Sequence, residues 1–263
     1  MYPILFEIGS IYVSSIWVMV CLGFLVSGSA LIQLSQYKGM KIAFLVRNFF
    51  PLLFFGLIGG RIFFIMATYQ DIFAYPIKYA PIRMIGIWDR GLEFWGVVVG
   101  IFGYLFYACK KDEENAWRWS DILSLAILTG IPFGHFGAYL EGLNFGRETN
   151  LPWGVTFESY TVPYTLPIHP AQMYALIYSL IITVTALYIF TRKPLRHDGD
   201  LTLGIAASYG ILRFIEEFFR GDESLTLSGI SLAYFLSLLS VVIAGILLLK
   251  RYNKLDFIHK NQS

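Results

Sequence analysis

The stretch from Pro170 to Thr191, PAQMYALIYSLIITVTALYIFT, decides how the rest of the chain has to be interpreted. It contains 22 residues without a charged side chain, and it lies between His169 and Arg192. A helix of about 20 mostly apolar residues is long enough to cross the hydrocarbon core of a bilayer. The stretch therefore predicts a transmembrane helix whose two ends reach the two membrane surfaces.

Six further stretches of the 263-residue chain have a similar length and a mostly apolar composition. Hydrophobic residues make up 56% of the chain and charged residues only 14%, whereas soluble domains have about 25% charged residues. The sequence thus predicts an all-α integral membrane protein that forms one polytopic domain over residues 1–263. Its seven transmembrane helices are expected near 15–34, 48–68, 93–109, 121–141, 170–191, 201–219 and 229–249.

Lysine and arginine are unequally divided between the loops on the two sides of these spans. Thirteen belong to the odd-numbered loops and the C-terminal tail, five belong to the other side, and Arg61 and Arg213 lie within spans. Because positive residues accumulate on the cytoplasmic side, the N-terminus is expected outside and the C-terminus in the cytosol. Two long outer loop elements follow, near 70–92 and 142–169. The net charge of +2 is too small to indicate a nucleic-acid partner.

Several spans carry ionisable or amide side chains inside the membrane or at their outer ends. An ionisable group at membrane depth is costly, and it usually faces the protein interior or a wet cavity. The predicted directions of the spans bring these groups toward the outer leaflet, so we expect one common cavity. The residues that can reach it are Arg61, His135, Glu141, His169, Gln172, Arg213 and Glu217.

The sixth span contains a regularly spaced polar triplet. Arg213, Glu217 and Arg220 are spaced i, i+4, i+7 and therefore share one helix face. Two guanidinium groups around one carboxylate leave a net positive charge, and the planar guanidinium fork suits a phosphate group. The alternative is an internal ion pair that only holds helices together.

The chain lacks the common metal, nucleotide and hydrolase motifs, but it contains several glycine pairs. The chain has no H-E-x-x-H metal motif, Walker loop or G-x-S-x-G elbow, so we expect neither a metal nor another cofactor. Pairs of glycines four residues apart predict close helix packing. These pairs are Gly56 and Gly60, Gly96 and Gly100, Gly130 and Gly134, and Gly142 and Gly146.

Two polar segments at the outer ends of spans five and six are specific when they are taken together. They read H-P-A-Q-M-Y over 169–174 and R-F-I-E-E-F-F-R over 213–220. Further segments are G-G-R over 59–61, W-D-R-G-L-E-F-W-G over 88–96 and the stretch 134–147. These segments follow one another in the same order as in the prolipoprotein diacylglyceryl transferase family of bacteria. The chain resembles that family over nearly its whole length.

The resemblance implies transfer of a diacylglyceryl group from phosphatidylglycerol, or a related anionic phospholipid, to a cysteine thiol. That thiol belongs to the signal-peptide helix of a prolipoprotein, and glycerol phosphate is the leaving group. The resemblance also implies that the protein lies in the bacterial cytoplasmic (inner) membrane. The thiol must lose its proton, and the departing phosphate needs neutralising charge. The candidate catalytic residues of this chain are His135, His169, Arg213 and Glu217, and the candidate substrate-binding residues are Arg61, Glu141, Gly146, Arg147, Gln172, Tyr174 and Arg220.

The chain departs from the pattern of this family at four positions. Trp95 stands where the family has a histidine, and His135 stands where it has an arginine. Ala138 and Ala175 replace an asparagine and an acidic residue. His135 could take over proton transfer, because histidine titrates near neutral pH, and Glu93 or Glu141 could orient it.

Three functional interpretations remain open from the sequence. The first is an active transferase with a rearranged centre. The second is a paralogue that binds an anionic lipid or a partner helix without transfer. The third is an intramembrane protease, since Glu216-Glu217-x-x-Arg220 is one residue shorter than the Glu-Glu-x3-Arg motif of prenyl-processing proteases.

Overall fold

The computed structural model describes residues 2–9, 11–68, 91–157, 162–163, 165–193, 195–222, 226–227 and 230–260. The W-D-R part of the 88–96 motif and nearly all of the outer segment near 70–92 lie outside the described residues. The chain divides into two compact units. The first comprises Met1–Leu34, Asp121–Glu223 and Ser237–Ser263, and the second comprises Ser35–Ser120 and Ser224–Leu236.

Seven long helices account for most of the described residues, and each coincides with one predicted span. The largest difference at a helix start is in the second helix, which begins at Ile42 because the apolar pattern continues upstream of the predicted start near 48. The helices are α1 Ser15–Tyr37, α2 Ile42–Ala67, α3 Phe94–Lys111, α4 Ala116–Glu141, α5 Ala171–Arg192, α6 Asp200–Glu217 and α7 Leu232–Lys260.

Glu93 determines where α3 begins. Its backbone is extended, and its carboxylate accepts a hydrogen bond of 2.9 Å from the backbone N–H of Gly96. This bond satisfies one of the donors that the first turn of a helix leaves without an intrahelical partner. Glu93, considered from the sequence as an orienting group for a histidine, therefore serves as a helix cap.

Five of the described helices are long and apolar enough to cross a membrane: α1, α2, α4, α5 and the Leu232–Tyr252 part of α7. The other two, α3 and α6, have 18 residues each. At 1.5 Å per residue they are about 27 Å long, close to the thickness of about 30 Å of a bilayer core. Four charged residues, Asp200, Arg213, Glu216 and Glu217, make α6 less apolar than the rest.

The described residues form the predicted all-α architecture, to which two short hairpins are added. Strand β1 (Ile4–Ile8) pairs antiparallel with β2 (Ile11–Ser14), and β3 (Thr226–Leu227) pairs with β4 (Ile230–Ser231). Both hairpins directly precede a helix, α1 or α7. Their apolar residues therefore merge with the span pattern in the sequence, which is why the sequence analysis missed them.

The second unit contains α2 packed closely against α3. A Cβ atom added at Gly59 would collide with the backbone of Gly96 and Gly100, and one added at Gly100 would collide with the backbone of Phe55. Such close approach is possible only where neither helix has a side chain, as small-xxx-small motifs predict. The packing role predicted for the glycine motifs of these two helices is confirmed.

Polar contacts join two helix turns at one end of the second unit. The ammonium group of Lys41, between α1 and α2, lies 2.7 Å from the carboxylate of Glu114, between α3 and α4. Arg118 donates to the backbone carbonyl of Lys38 at 2.7 Å. The two turns therefore lie side by side, and α2 and α3 run away from this end and back to it.

A buried aspartate joins helix ends in the first unit. The carboxylate of Asp121, near the start of α4, accepts hydrogen bonds from the backbone N–H of Gly199 at 2.6 Å and of Thr202 at 2.8 Å. Asp200, at the start of α6, accepts a hydrogen bond of 3.0 Å from the hydroxyl of Tyr252 in α7. The starts of α4 and α6 and this part of α7 therefore share one end of the unit.

Candidate functional site

The end of α4, the start of α5 and the end of α6 meet through backbone hydrogen bonds in the first unit. Gly146 N–H donates to the carbonyl of His169 at 3.1 Å, and His169 N–H donates to the carbonyl of Arg147 at 2.9 Å. Arg147 N–H donates to the carbonyl of Phe219 at 2.9 Å. This arrangement holds the residues next to three helix ends in one small area, where the sequence predicted that polar groups would collect.

Gly146 makes this arrangement possible through its lack of a side chain. A Cβ atom at this position would collide with both His169 and the backbone of Phe219. Gly142, four residues earlier, ends α4 with a φ of 77°, a conformation that glycine adopts without strain. Helix packing by this pair is therefore a wrong prediction, because Gly146 lies beyond the helix.

The predicted triplet at the end of α6 forms one cluster. Arg213 Nη1 donates to Glu217 Oε2 at 2.7 Å, and Arg220 Nε lies 3.8 Å from the same oxygen. Glu217 is buried, with 4% of its surface exposed. One carboxylate thus lies between two guanidinium groups, as the spacing predicts, but Arg220 lies three residues beyond the end of α6 and does not share a helix face with the other two.

Two further acids contact these arginines. The carboxylate of Asp222 accepts two hydrogen bonds from the guanidinium group of Arg220, one of 2.8 Å from Nε and one of 2.5 Å from Nη2. Glu216 Oε2 lies 3.9 Å from Arg213 Nη1. The expected net positive charge is therefore wrong, because these two arginines face three carboxylates. The i, i+3 spacing of Arg213 and Glu216 was the signal in the sequence that could have indicated one of them.

A hydrogen-bonded chain of side chains ends at His169. The indole N–H of Trp153 donates to the hydroxyl of Tyr174 at 2.8 Å, and that hydroxyl lies 3.1 Å from His169 Nδ1. Because an indole can only donate, the tyrosine oxygen accepts from Trp153 and can donate its own proton to Nδ1. Burial lowers the pKa of His169 below its usual value, which favours a neutral imidazole with its proton on Nε2.

Three other predicted binding residues make contacts near the same helix ends. Gln172 Nε2 donates to the carbonyl of Leu143 at 2.6 Å, while its buried Oε1 has no hydrogen-bond partner among the described residues. The carboxylate of Glu141 accepts from the hydroxyl of Ser14 at 2.5 Å, which ties α4 to β2. Arg147 Nε donates to the carbonyl of Arg220 at 2.8 Å.

His135 lies on α4 and faces α5. Its ring meets the ring of Tyr178 edge to face, with centroids 6.3 Å apart, and its buried Nε2 finds no hydrogen-bond partner in the part of the chain that the structure describes. Ala138 and Ala175 are both buried, at 2% and 0% exposure. Two positions where the resemblance implies polar side chains are thus occupied by small apolar ones in a packed interior.

Arg61 and Trp95 belong to the second unit. Arg61 Nη1 donates to the carbonyl of Gly91 at 2.8 Å, and its guanidinium lies 5.0 Å from the centroid of the Phe64 ring. Trp95 follows Phe94 in the first turn of α3, with ring centroids 5.6 Å apart. Arg61 is thus buried in contacts between α2 and the start of α3.

A cavity of about 440 Å³ lies within the first unit, against α5 and α6. Of the residues predicted to share a cavity, His169 lines this one, whereas His135, Gln172 and Arg213 are not part of its wall. Glu216, which the sequence analysis did not include in the site, is part of it. The other lining residues are Leu151, Trp153, Tyr174, Ile177, Tyr178, Leu212, Ile215 and Phe219.

Comparison with known proteins agrees with the motifs on which this site is built. The family model of prolipoprotein diacylglyceryl transferases matches residues 3–250. A phosphatidylglycerol–prolipoprotein diacylglyceryl transferase of Pasteurella multocida is 29% identical over 259 residues, which are 95% of this chain and 92% of that protein. The transferase of Polynucleobacter asymbioticus is 30% identical over 237 residues, 87% of this chain and 86% of that protein. Because the family match extends over nearly the whole sequence, this chain belongs to the prolipoprotein diacylglyceryl transferase family.

Proposed function

We propose that this protein transfers a diacylglyceryl group from phosphatidylglycerol to the cysteine thiol of a prolipoprotein. The observation that carries the proposal is the arrangement on α6, in a chain of this family. The helix presents Arg213 and Glu217 in an ion-paired cluster, and it contributes Leu212, Ile215 and Glu216 to the wall of an apolar cavity. A charged group and an apolar group can therefore bind next to each other, as a phospholipid and a peptide helix require.

The arginines provide the charge that the departing glycerol phosphate needs. A phosphate can bind the fork of Arg220 once it displaces Asp222, because Asp222 makes both of its bonds to that fork. Glu217 keeps Arg213 and Arg220 directed toward a common point. Preorganised cations of this kind stabilise the charge that develops on a leaving group.

The remaining predicted residues take supporting roles in this proposal. His135 and His169 are imidazoles that can carry the thiol proton away from the reacting centre, and Tyr174 orients His169. Gln172 has a buried acceptor oxygen that a substrate donor can use. Glu141, Gly146 and Arg147 hold the helix ends together. Arg61 is kept as a lipid-binding residue of this proposal.

The acceptor is the signal-peptide helix of a prolipoprotein, and the protein is a single seven-span domain of the inner membrane. The N-terminus lies outside and the C-terminus lies in the cytosol. This orientation is supported by the excess of thirteen over five positive residues on the cytosolic side. The alternating direction of successive spans is supported by the helix ends of each unit, which meet as alternating spans require.

The test is incubation of the purified protein in phosphatidylglycerol vesicles with a synthetic signal peptide that contains one lipobox cysteine. Mass spectrometry should show the peptide with the added mass of the diacylglyceryl group. A peptide with alanine in place of that cysteine, and vesicles without phosphatidylglycerol, should give no product. If the protein binds phosphatidylglycerol vesicles but no modified peptide forms, it is a binding paralogue and the proposal is wrong.

A further inference from the structure

Glu216 differs from its neighbour Glu217 in the contacts that its carboxylate makes. Glu217 is held by two arginines, whereas Glu216 Oε2 accepts a hydrogen bond of 2.7 Å from the hydroxyl of Tyr178 on α5 and lies 3.9 Å from Arg213 Nη1. Its other oxygen, Oε1, has no hydrogen-bond partner within the described residues. Glu216 is only 5% exposed, yet it belongs to the wall of the cavity of about 440 Å³. Glu216 Oε1 is therefore available as a hydrogen-bond acceptor in the wall of a mostly apolar cavity.

The charge of the cavity wall indicates which substrate it takes. Glu216 is an acidic residue in this wall, while Arg213 and Arg220 are not part of it. A carboxylate repels the phosphate of an anionic lipid, whereas a neutral thiol carries no charge to repel. Aromatic and aliphatic walls suit the apolar residues around a lipobox cysteine. The cavity thus fits the acceptor, and the neighbouring arginines fit the lipid phosphate.

We propose that Glu216 is the general base that removes the proton from the acceptor cysteine, and that this cavity is the acceptor site. The inference rests on the proposed transfer. The S–H bond breaks, and its proton goes to Glu216 Oε1. The thiolate sulfur forms a bond to the glyceryl carbon that carries the phosphate, and the bond between that carbon and the phosphate oxygen breaks. Glycerol phosphate leaves with the electron pair of that bond.

Two residues of the neighbouring helix α5 support this role of Glu216. Tyr178 holds Oε2 of Glu216, which leaves Oε1 for the substrate. Ala175, three residues before Tyr178 on the same face of α5, occupies the position where the family pattern has an acid. Glu216 thus supplies a carboxylate from α6 close to the helix that has lost its own. His135 meets the ring of Tyr178 but does not line the cavity, so it is not the first proton acceptor.

The experiment compares two acceptor peptides, one with cysteine and one with selenocysteine at the lipobox position. A selenol is a much stronger acid than a thiol and is mostly ionised at neutral pH, so it needs no base. We expect Glu216→Gln to reduce transfer to the cysteine peptide at least about 100-fold, the usual minimum for loss of a general base. Transfer to the selenocysteine peptide should fall less than about 10-fold, since the glutamine can still accept from Tyr178.

The ratio of the two rates within one variant does not depend on how much of that variant is folded. Glu148→Gln is the matched control, because Glu148 is an exposed carboxylate near the same helix ends, and its ratio should equal that of the wild type. Tyr178→Phe should change the ratio in the same direction as Glu216→Gln, which provides a second measurement. Equal losses with both peptides, or no loss, overturn the role of Glu216. If the wild type modifies neither peptide, the proposed transfer is wrong and this inference falls with it.

Discussion

At the scale of the residue, the ion pair of Arg213 and Glu217 has two consequences that need to be separated. Both side chains are largely buried, with 13% and 3% of their side-chain surfaces exposed. Removal of one partner of a buried pair is strongly destabilising, because the other charge is left without compensation, whereas removal of both is often neutral. A loss of function in a single variant can therefore reflect either a lost phosphate contact or a destabilised helix.

A double variant separates the two explanations. Arg213→Ala should reduce transfer at least about 100-fold and lower the free energy of unfolding by about 3 kcal/mol. Arg213→Ala combined with Glu217→Gln should recover part of the stability, because the closest charge partner of Arg213 is then neutral, but none of the transfer. Arg213→Lys should also transfer poorly, because an ammonium group does not replace the guanidinium fork. Thermal unfolding in detergent and the peptide assay measure both properties, and transfer by the double variant would disprove the phosphate role of Arg213.

At the scale of the element, the packing of α2 against α3 depends on the absence of side chains where the two backbones approach. A Cβ atom at Gly100 would meet the backbone of Phe55 and Gly56. At Gly103, three residues further along α3, a Cβ atom would meet no described heavy atom of a neighbouring element within 4 Å. The two glycines of one helix therefore have different tolerance for a side chain, and they form a matched pair for substitution.

Gly100→Val should destabilise the protein by at least about 2 kcal/mol, because overpacking a well-packed contact typically costs about 1–3 kcal/mol. Gly103→Val should change stability by less than about 0.5 kcal/mol, as expected for a surface position. The thermal unfolding midpoints of the two purified variants provide the comparison. Similar midpoints for both would show that α2 and α3 do not depend on close backbone contact.

At the scale of the whole molecule, the topology depends on whether α3 and α6 cross the membrane. Among the described long helices, these two have 18 residues each and are not apolar enough to qualify as spans by composition alone. If neither crossed the membrane, the turns after α3 and α5 and the loop after α4 would all change sides. The contact of Lys41 with Glu114 places the turn before α2 beside the turn after α3, which supports a crossing by α3. The start of α6 lies beside the start of α4 and its end lies beside the residues that follow α4, which supports a crossing by α6.

Single cysteines in a variant without Cys21 and Cys109 test this topology in the full chain. Glu148→Cys should react with a membrane-impermeant maleimide in intact cells. Lys111→Cys and Asp198→Cys should react only after the membrane is permeabilised. All three positions are exposed, so a lack of labelling reports the side of the membrane. The reverse pattern at all three positions would contradict the proposed topology of seven spans with the N-terminus outside.

The sequence by itself determined the seven long helices that the structure describes and the cluster of Arg213, Glu217 and Arg220. Apolar length depends only on composition, and the i, i+4, i+7 spacing depends only on helical geometry, so neither requires knowledge of the neighbouring helices. The family also followed from ordered motifs, and the family match over residues 3–250 confirms it.

Only the tertiary structure decided which residues from different helices meet. Tyr178 binds Glu216 across 38 residues, Trp153 reaches Tyr174 from the loop before α5, and the cavity includes Glu216 but not Arg213. The two short hairpins were hidden for a related reason, since their apolar residues resemble those of the adjoining spans. Such contacts depend on the rotation and depth of each helix relative to the next. Glycine contacts and buried hydrogen bonds set that rotation and depth, and no local pattern in the sequence encodes them.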